Sequence, residues 1–131
     1  MLLALGCADG SVVLVSVTRS RVERVFEDAH KGGVTEVVAG RGPSSGMVWS
    51  TGRDDTIKCW STADLATAAP APVLQLAAKG HTTLCLAANG ALLVSASGTE
   101  IVAWKIAESL VETEKKGKPL DRKSGGHVGT A

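Results

Sequence analysis

Along this chain apolar residues alternate with small or polar ones in runs of five to seven, the two-residue period of strands with one face in a core. The pattern predicts strands at Leu2–Cys7, Ser11–Val17, Val22–Phe26, Val34–Ala39, Met47–Thr51, Thr56–Ser61, Val73–Leu76, Leu84–Ala87, Leu92–Ala96 and Glu100–Ile106. Turn formers separate them: "ADGS", "RGPSSG", "GRDD", "AANGA" and "SGTE". The longest break, "STADLATAAPAP", carries two prolines that resist strand pairing. Only "KIAESLVETEKK" has a helical rhythm, and it reads as a short amphipathic turn or an outer strand.

The strands recur with a period. "GCADGSVVLV", "GRDDTIKCW" and "SGTEIVAW" align beneath one another, ending on Val15, Trp60 and Trp104, steps of 45 and 44 residues. A repeat of roughly 40–45 residues suits a propeller blade of four strands. Histidines recur in register, in Ala29-His30, Gly80-His81 and Gly126-His127, each after an outer strand and before the next inner one.

Composition narrows the classes. With 14 Lys and Arg against 13 Asp and Glu, no global field points to nucleic acid or membrane, so any such contact must come from a local patch. Three Trp, one Phe, no Tyr and 15 Gly fit many short strands and tight turns. Cys7, Cys59 and Cys85 lack metal-ligand spacing and read as buried, reduced thiols of a nuclear or cytosolic protein. "MLLALGCADG" lacks the basic flank and apolar length of a signal peptide, and no run approaches the roughly 20 apolar residues of a membrane span, so a soluble protein is expected.

These motifs resemble the WD-repeat β-propellers, whose repeats carry a Gly-His pair, an Asp in the hairpin turn and a Trp-Asp pair ending the third strand. The resemblance covers residues 2–107. The middle repeat matches best, with His30, Ser50, Asp54 and Trp60, although Ser61 stands where the final Asp is expected. The first repeat keeps Asp9 but has Val15 for Trp. The third keeps His81, Ser95 and Trp104 on a shorter turn without Asp. The implied fold is all-β, a partial propeller of about two and a half four-stranded antiparallel blades. Residues 2–26 would be a blade remnant, 34–76 a full blade, 84–106 a partial blade, and 107–131 a basic loop with the start of the next blade.

In that family the matching residues form a buried chain in which the Trp indole donates to Ser, Ser to His and His to Asp. The same Ser50, His30 and Asp54 could instead be a hydrolase triad. Against this, Ser50 sits inside a strand without a "GxSxG" elbow, and Trp60 would occupy its oxygen. The structural reading prevails: no catalytic residue, no cofactor, no metal and no small-molecule substrate are expected. The weaker networks would involve Asp9, His81, Ser95 and Trp104.

"ETEKKGKPLDRKSGG" gathers Lys115, Lys116, Lys118, Arg122 and Lys123, a solvated loop or a set of RNA-phosphate contacts. No aromatics interleave with them, which argues against single-strand stacking. The order "LALGCADGSVVLVSV", "WSTGRDDTIKCW" and an Asp-less "LLVSASGTEIVAWKI" resembles a nucleolar branch of the family. That branch is the WD-repeat component of the early, transcription-coupled subcomplex of the small-subunit processome, at the 5′ end of pre-ribosomal RNA. The resemblance implies a non-catalytic scaffold in ribosome biogenesis and rRNA processing. Its partners would be proteins of a large complex and pre-ribosomal RNA, in the nucleolus. The alternative is a cytoplasmic scaffold of a ciliary, trafficking or ubiquitin-ligase complex.

Overall fold

The computed structural model describes residues 1–63 and 71–106 in full, and the backbone pairing of Lys118–Pro119, Lys123–Ser124 and Val128–Thr130. Three antiparallel sheets follow one another along the chain. Strands β1 (Leu2–Gly6), β2 (Val12–Ser16) and β3 (Arg21–Phe26) form the first, in chain order. The second is β4 (Val34–Ala39), β5 (Met47–Gly52), β6 (Thr56–Ser61) and β7 (Leu74–Ala77). The third is β8 (Thr83–Leu86), β9 (Leu92–Ala96) and β10 (Glu100–Lys105). Two short strands, β11 (Lys118–Pro119) and β12 (Lys123–Ser124), pair antiparallel with the far edge of β10, and β13 (Val128–Thr130) pairs parallel with it. The stretch expected as a helical turn or outer strand lies, from residue 107 to 116, outside the described residues.

The sheets stack face to face through two cores. Val12, Leu14 and Phe26 of the first sheet meet Val48 and Trp60 of the second, with Ala29 between them. Met47, Trp49, Ile57, Cys59, Leu74 and Leu76 of the second meet Leu84, Leu86, Leu93, Val102 and Trp104 of the third. The innermost strand β4 touches β1 on one side and β8 on the other.

One-sided burial fails for β5, which is buried at all six residues. It is flanked by β4 and β6 and covered on both faces, so Met47 and Trp49 serve one core while Val48 serves the other. At the opposite extreme β1, in the equivalent place of the preceding repeat, has Leu3 and Leu5 about half exposed. The irregular "RGPSSG" segment contains a single 3₁₀ turn, Gly42–Ser44, with Pro43 as its second residue. Its Ser44 hydroxyl accepts the Trp49 indole N–H at 3.0 Å.

Candidate functional site

The second sheet carries the most connected polar cluster. His30 lies in the loop between β3 and β4, Ser50 on β5, Asp54 in the β5–β6 turn, and Thr56, Lys58 and Trp60 on β6. Trp60 donates its indole N–H to Ser50 Oγ at 3.0 Å, and Ser50 Oγ lies 2.7 Å from His30 Nε2. The other ring nitrogen, Nδ1, is 2.9 Å from Asp54 Oδ1. Thr56 donates its hydroxyl to the same carboxylate oxygen at 2.8 Å, and its amide donates there as well. Lys58 Nζ donates to the Ala29 carbonyl at 2.6 Å and stands 3.8 Å from Asp54 Oδ2.

Local packing permits this approach. A Cβ at Gly52 would overlap the His30 imidazole, so only glycine lets the ring lie against the strand. Phe26 of the first sheet stacks on Trp60 with centroids 4.8 Å apart. The cluster therefore joins the chain leaving the first sheet to the body of the second.

Burial lowers the His30 pKa, outweighing the hydrogen bond and charge of Asp54 that favour the imidazolium. The ring is thus neutral at pH 7, and its contact with Asp54 is a hydrogen bond rather than an ion pair. For Asp54, burial alone would raise the pKa. Hydrogen bonds from His30 and Thr56, with the attraction of His30 and Lys58, hold it below the ordinary carboxylate value. His30 and Ser50 are fully buried, and the Ser50 oxygen is already engaged by an indole N–H. A reacting carbonyl has no approach to that hydroxyl in this conformation.

The third sheet brings His81, Ser95 and Trp104 together. Trp104 Nε1–H donates to Ser95 Oγ at 2.8 Å, which lies 2.6 Å from His81 Nδ1. The carboxylate is Glu100, with Oε1 3.1 Å from His81 Nε2. Glu100 is not legible in the repeat pattern, which places an Asp in the hairpin turn, whereas Glu100 is the first residue of β10. An acid just beyond a shortened turn is the signal that could have found it.

Asp9 is differently placed, accepting from the Ser11 amide at 2.9 Å and its hydroxyl at 2.6 Å within its own turn. Asp55, adjacent to Asp54, accepts the Gly80 amide at 2.9 Å and so ties the β5–β6 turn to the loop bearing His81. Of the basic residues, Lys115, Lys116 and Arg122 lie outside the described residues, and only the backbone pairing of Lys118 and Lys123 is described. Among the described residues no group of three or more His, Cys, Asp or Glu could hold a metal ion.

No protein-family model and no curated protein matches this chain. Solved structures do. A β-propeller domain of Cps50 (Swd1) from Myceliophteria thermophila superposes with a TM-score of 0.67 at 18% identity, over 82% of this chain and 32% of that one. The fold is that of part of a WD-repeat β-propeller. A chain in a humanized mutant of the Chaetomium thermophilum Polycomb Repressive Complex 2 matches with a TM-score of 0.67 at 26% identity, over 82% of this chain and 24% of that one. A chain of the complex from the same organism in another crystal structure matches at 27% identity with a TM-score of 0.64, over 82% and 23%. The propeller segment thus spans about a quarter to a third of the length of the chains it matches.

Proposed function

We propose that this propeller segment belongs to a non-catalytic WD-repeat scaffold that presents blade edges and loops to protein partners in a pre-ribosomal small-subunit particle of the nucleolus. The observation that carries the scaffold reading is the closure of the Ser50–His30–Asp54 chain by Trp60. Its polar groups are spent on one another, which fastens an inter-sheet loop and leaves the Ser50 hydroxyl engaged rather than free. On this reading His30, Ser50, Asp54 and Trp60 form one structural network. His81, Ser95 and Trp104 contribute to another, and Asp9 stabilises a turn. The first sheet is then a blade remnant (2–26), the second a full blade (34–76) and the third a partial blade (84–106), with a basic loop and the next blade beginning in 107–131.

The ribosomal context rests on the order of the three repeats and their Asp-less third hairpin. Near-neutral charge makes proteins the main anchor, while Lys115, Lys116, Lys118, Arg122 and Lys123 add RNA-phosphate contacts. Each such contact contributes about 0.7–0.9 to the slope of log affinity against log salt. The test is purification of the tagged full-length protein: pre-ribosomal RNA should co-purify, and replacing the five basic residues by Gln should lower RNA crosslinking and flatten the salt slope. Unchanged crosslinking would reduce the loop to a linker.

A second reading, a scaffold in a chromatin assembly, is favoured by the likeness to a chain of the Polycomb Repressive Complex 2. Co-purification with histone-modifying subunits and no pre-ribosomal RNA would establish it instead.

A further inference from the structure

The two histidine networks share their order of partners but not the orientation of the ring. An indole N–H only donates and an ionised carboxylate only accepts, so with a neutral imidazole and a serine between them the direction of every proton is determined. In the second sheet Trp60 donates to Ser50 Oγ, which leaves the serine proton for His30 Nε2. That nitrogen is bare, and Nδ1 carries the proton given to Asp54. Thr56 agrees with this assignment. Its hydroxyl proton goes to Asp54 Oδ1, so its oxygen lone pair faces His30 Nδ1 at 3.1 Å.

In the third sheet Trp104 donates to Ser95 Oγ in the same way, but the serine meets His81 at Nδ1 and the carboxylate meets Nε2. The ring is turned over. We infer that the two buried histidines are locked in opposite neutral tautomers, His30 as Nδ1–H and His81 as Nε2–H, and that Glu100 is the positioning residue that imposes the second.

The cause is side-chain reach. Asp54 stands in the turn and approaches the ring on its Nδ1 side, near the backbone. The β9–β10 turn offers no acid, and the carboxylate instead starts from the first residue of β10 on a side chain one methylene longer. From there it meets the far nitrogen, and the ring rotates to leave Nδ1 for Ser95. A repeat that looks incomplete by its missing turn Asp therefore holds a complete four-member chain. The loop through His81 is fastened at both ring nitrogens, while its own amide donates to the Ala78 carbonyl at 3.1 Å.

Long-range proton–nitrogen NMR on the full-length protein with labelled histidine reads this directly, with His30→Gln and His81→Gln assigning the signals. One buried histidine should carry its proton on Nδ1 and the other on Nε2. Glu100→Gln, which keeps a carbonyl acceptor, should leave His81 as Nε2–H. Glu100→Ala should release it to a mixture of tautomers and lower the thermal midpoint by a shift comparable with that of Asp54→Ala. Glu100→Asp, too short to reach, should resemble Glu100→Ala. The inference is overturned if both buried rings carry the proton on the same nitrogen, if either ring carries a proton on both, or if Glu100→Ala changes neither the His81 pattern nor the midpoint. Should Glu100→Ala fail to fold, the native spectrum and that of Glu100→Gln decide the matter. None of these readouts depends on which particle the protein joins.

Discussion

Asp54 gives up most of its hydration in a turn, where a carboxylate normally faces water, and recovers it through His30, Thr56 and Lys58. Asp54→Ala leaves His30 Nδ1–H without its acceptor, which should destabilise the intact protein by about 1–3 kcal/mol in a denaturant titration. The pH dependence follows from the two shifts. Both His30 and Asp54 have folded pKa values below their ordinary ones of 6.5 and 3.8. On acidification the unfolded chain takes up each proton first, so stability rises with pH across both windows and is complete at pH 7. The thermal midpoint should fall as pH drops below about 6.5, through His30, and again below about 4, through Asp54. His30→Gln should flatten the first step, and a midpoint that rose on acidification would contradict the assignment. Thiol chemistry gives a second check. Of the three thiols expected to be buried only Cys59 is, and burial pushes it up to about 12. Cys7 is half-buried, and Cys85 lies on the outward face of β8 and is exposed, so native-state alkylation read by mass spectrometry should modify Cys85 and spare Cys59. The sequence pointed to His30, Ser50, Asp54 and Trp60 because each side-chain type occupies a fixed place in a repeat. It did not point to Glu100, since neither ring orientation nor the reach of a longer acid leaves a periodic trace.

Ten strands were legible from alternation and turn residues, and every end of β1 to β10 falls within one residue of its expected place. What alternation could not reveal is how many faces a strand buries. β5 reads "MVWSTG", and only the sheets on either side of it explain why even Ser50 and Thr51 are enclosed. The Thr51 hydroxyl is satisfied by that of Thr35 at 2.8 Å. The second and third sheets are also joined at their far end, where two turns interlock. Gly90, at φ +75°, lies so close to the Arg41 carbonyl that a Cβ would overlap it, and Gly42 meets the Asn89 carbonyl in the same way. Gly46, at φ +76°, has open space around it. Alanine at either position incurs the left-handed backbone penalty of about 1–2 kcal/mol. Gly90→Ala must in addition push two turns apart. Its thermal midpoint should therefore fall clearly below that of Gly46→Ala, and equal midpoints would show that the close approach carries no energy.

At the scale of the whole molecule the two outer sheets are unequal to the middle one. Cross-strand pairing places Leu3, Leu5, Val13, Val15, Val22 and Val25 on one face of the first sheet, turned away from the second. Leu3, Leu5, Val22 and Val25 are 39–56% exposed, a contiguous apolar patch rather than scattered surface residues. The third sheet turns Cys85, Leu92 and Val94 outward on its own far side. Among the described residues the first sheet has three strands, so the edge of β1 lacks the inner neighbour that β4 gives β5. Exposed sheet faces and open strand edges recruit other chains. Closed propellers of roughly 4–8 blades leave neither. Residues 1–131 expressed alone should consequently self-associate or melt without cooperativity, as read by light scattering and calorimetry. Replacing Leu3, Leu5 and Val25 by Thr, which keeps β-propensity while adding hydroxyls, should raise the monomer fraction without restoring a sharp transition. A soluble wild-type monomer with a sharp cooperative melt would mean that three sheets suffice, and that the apolar face is a docking surface in its own right rather than a buried seam between blades.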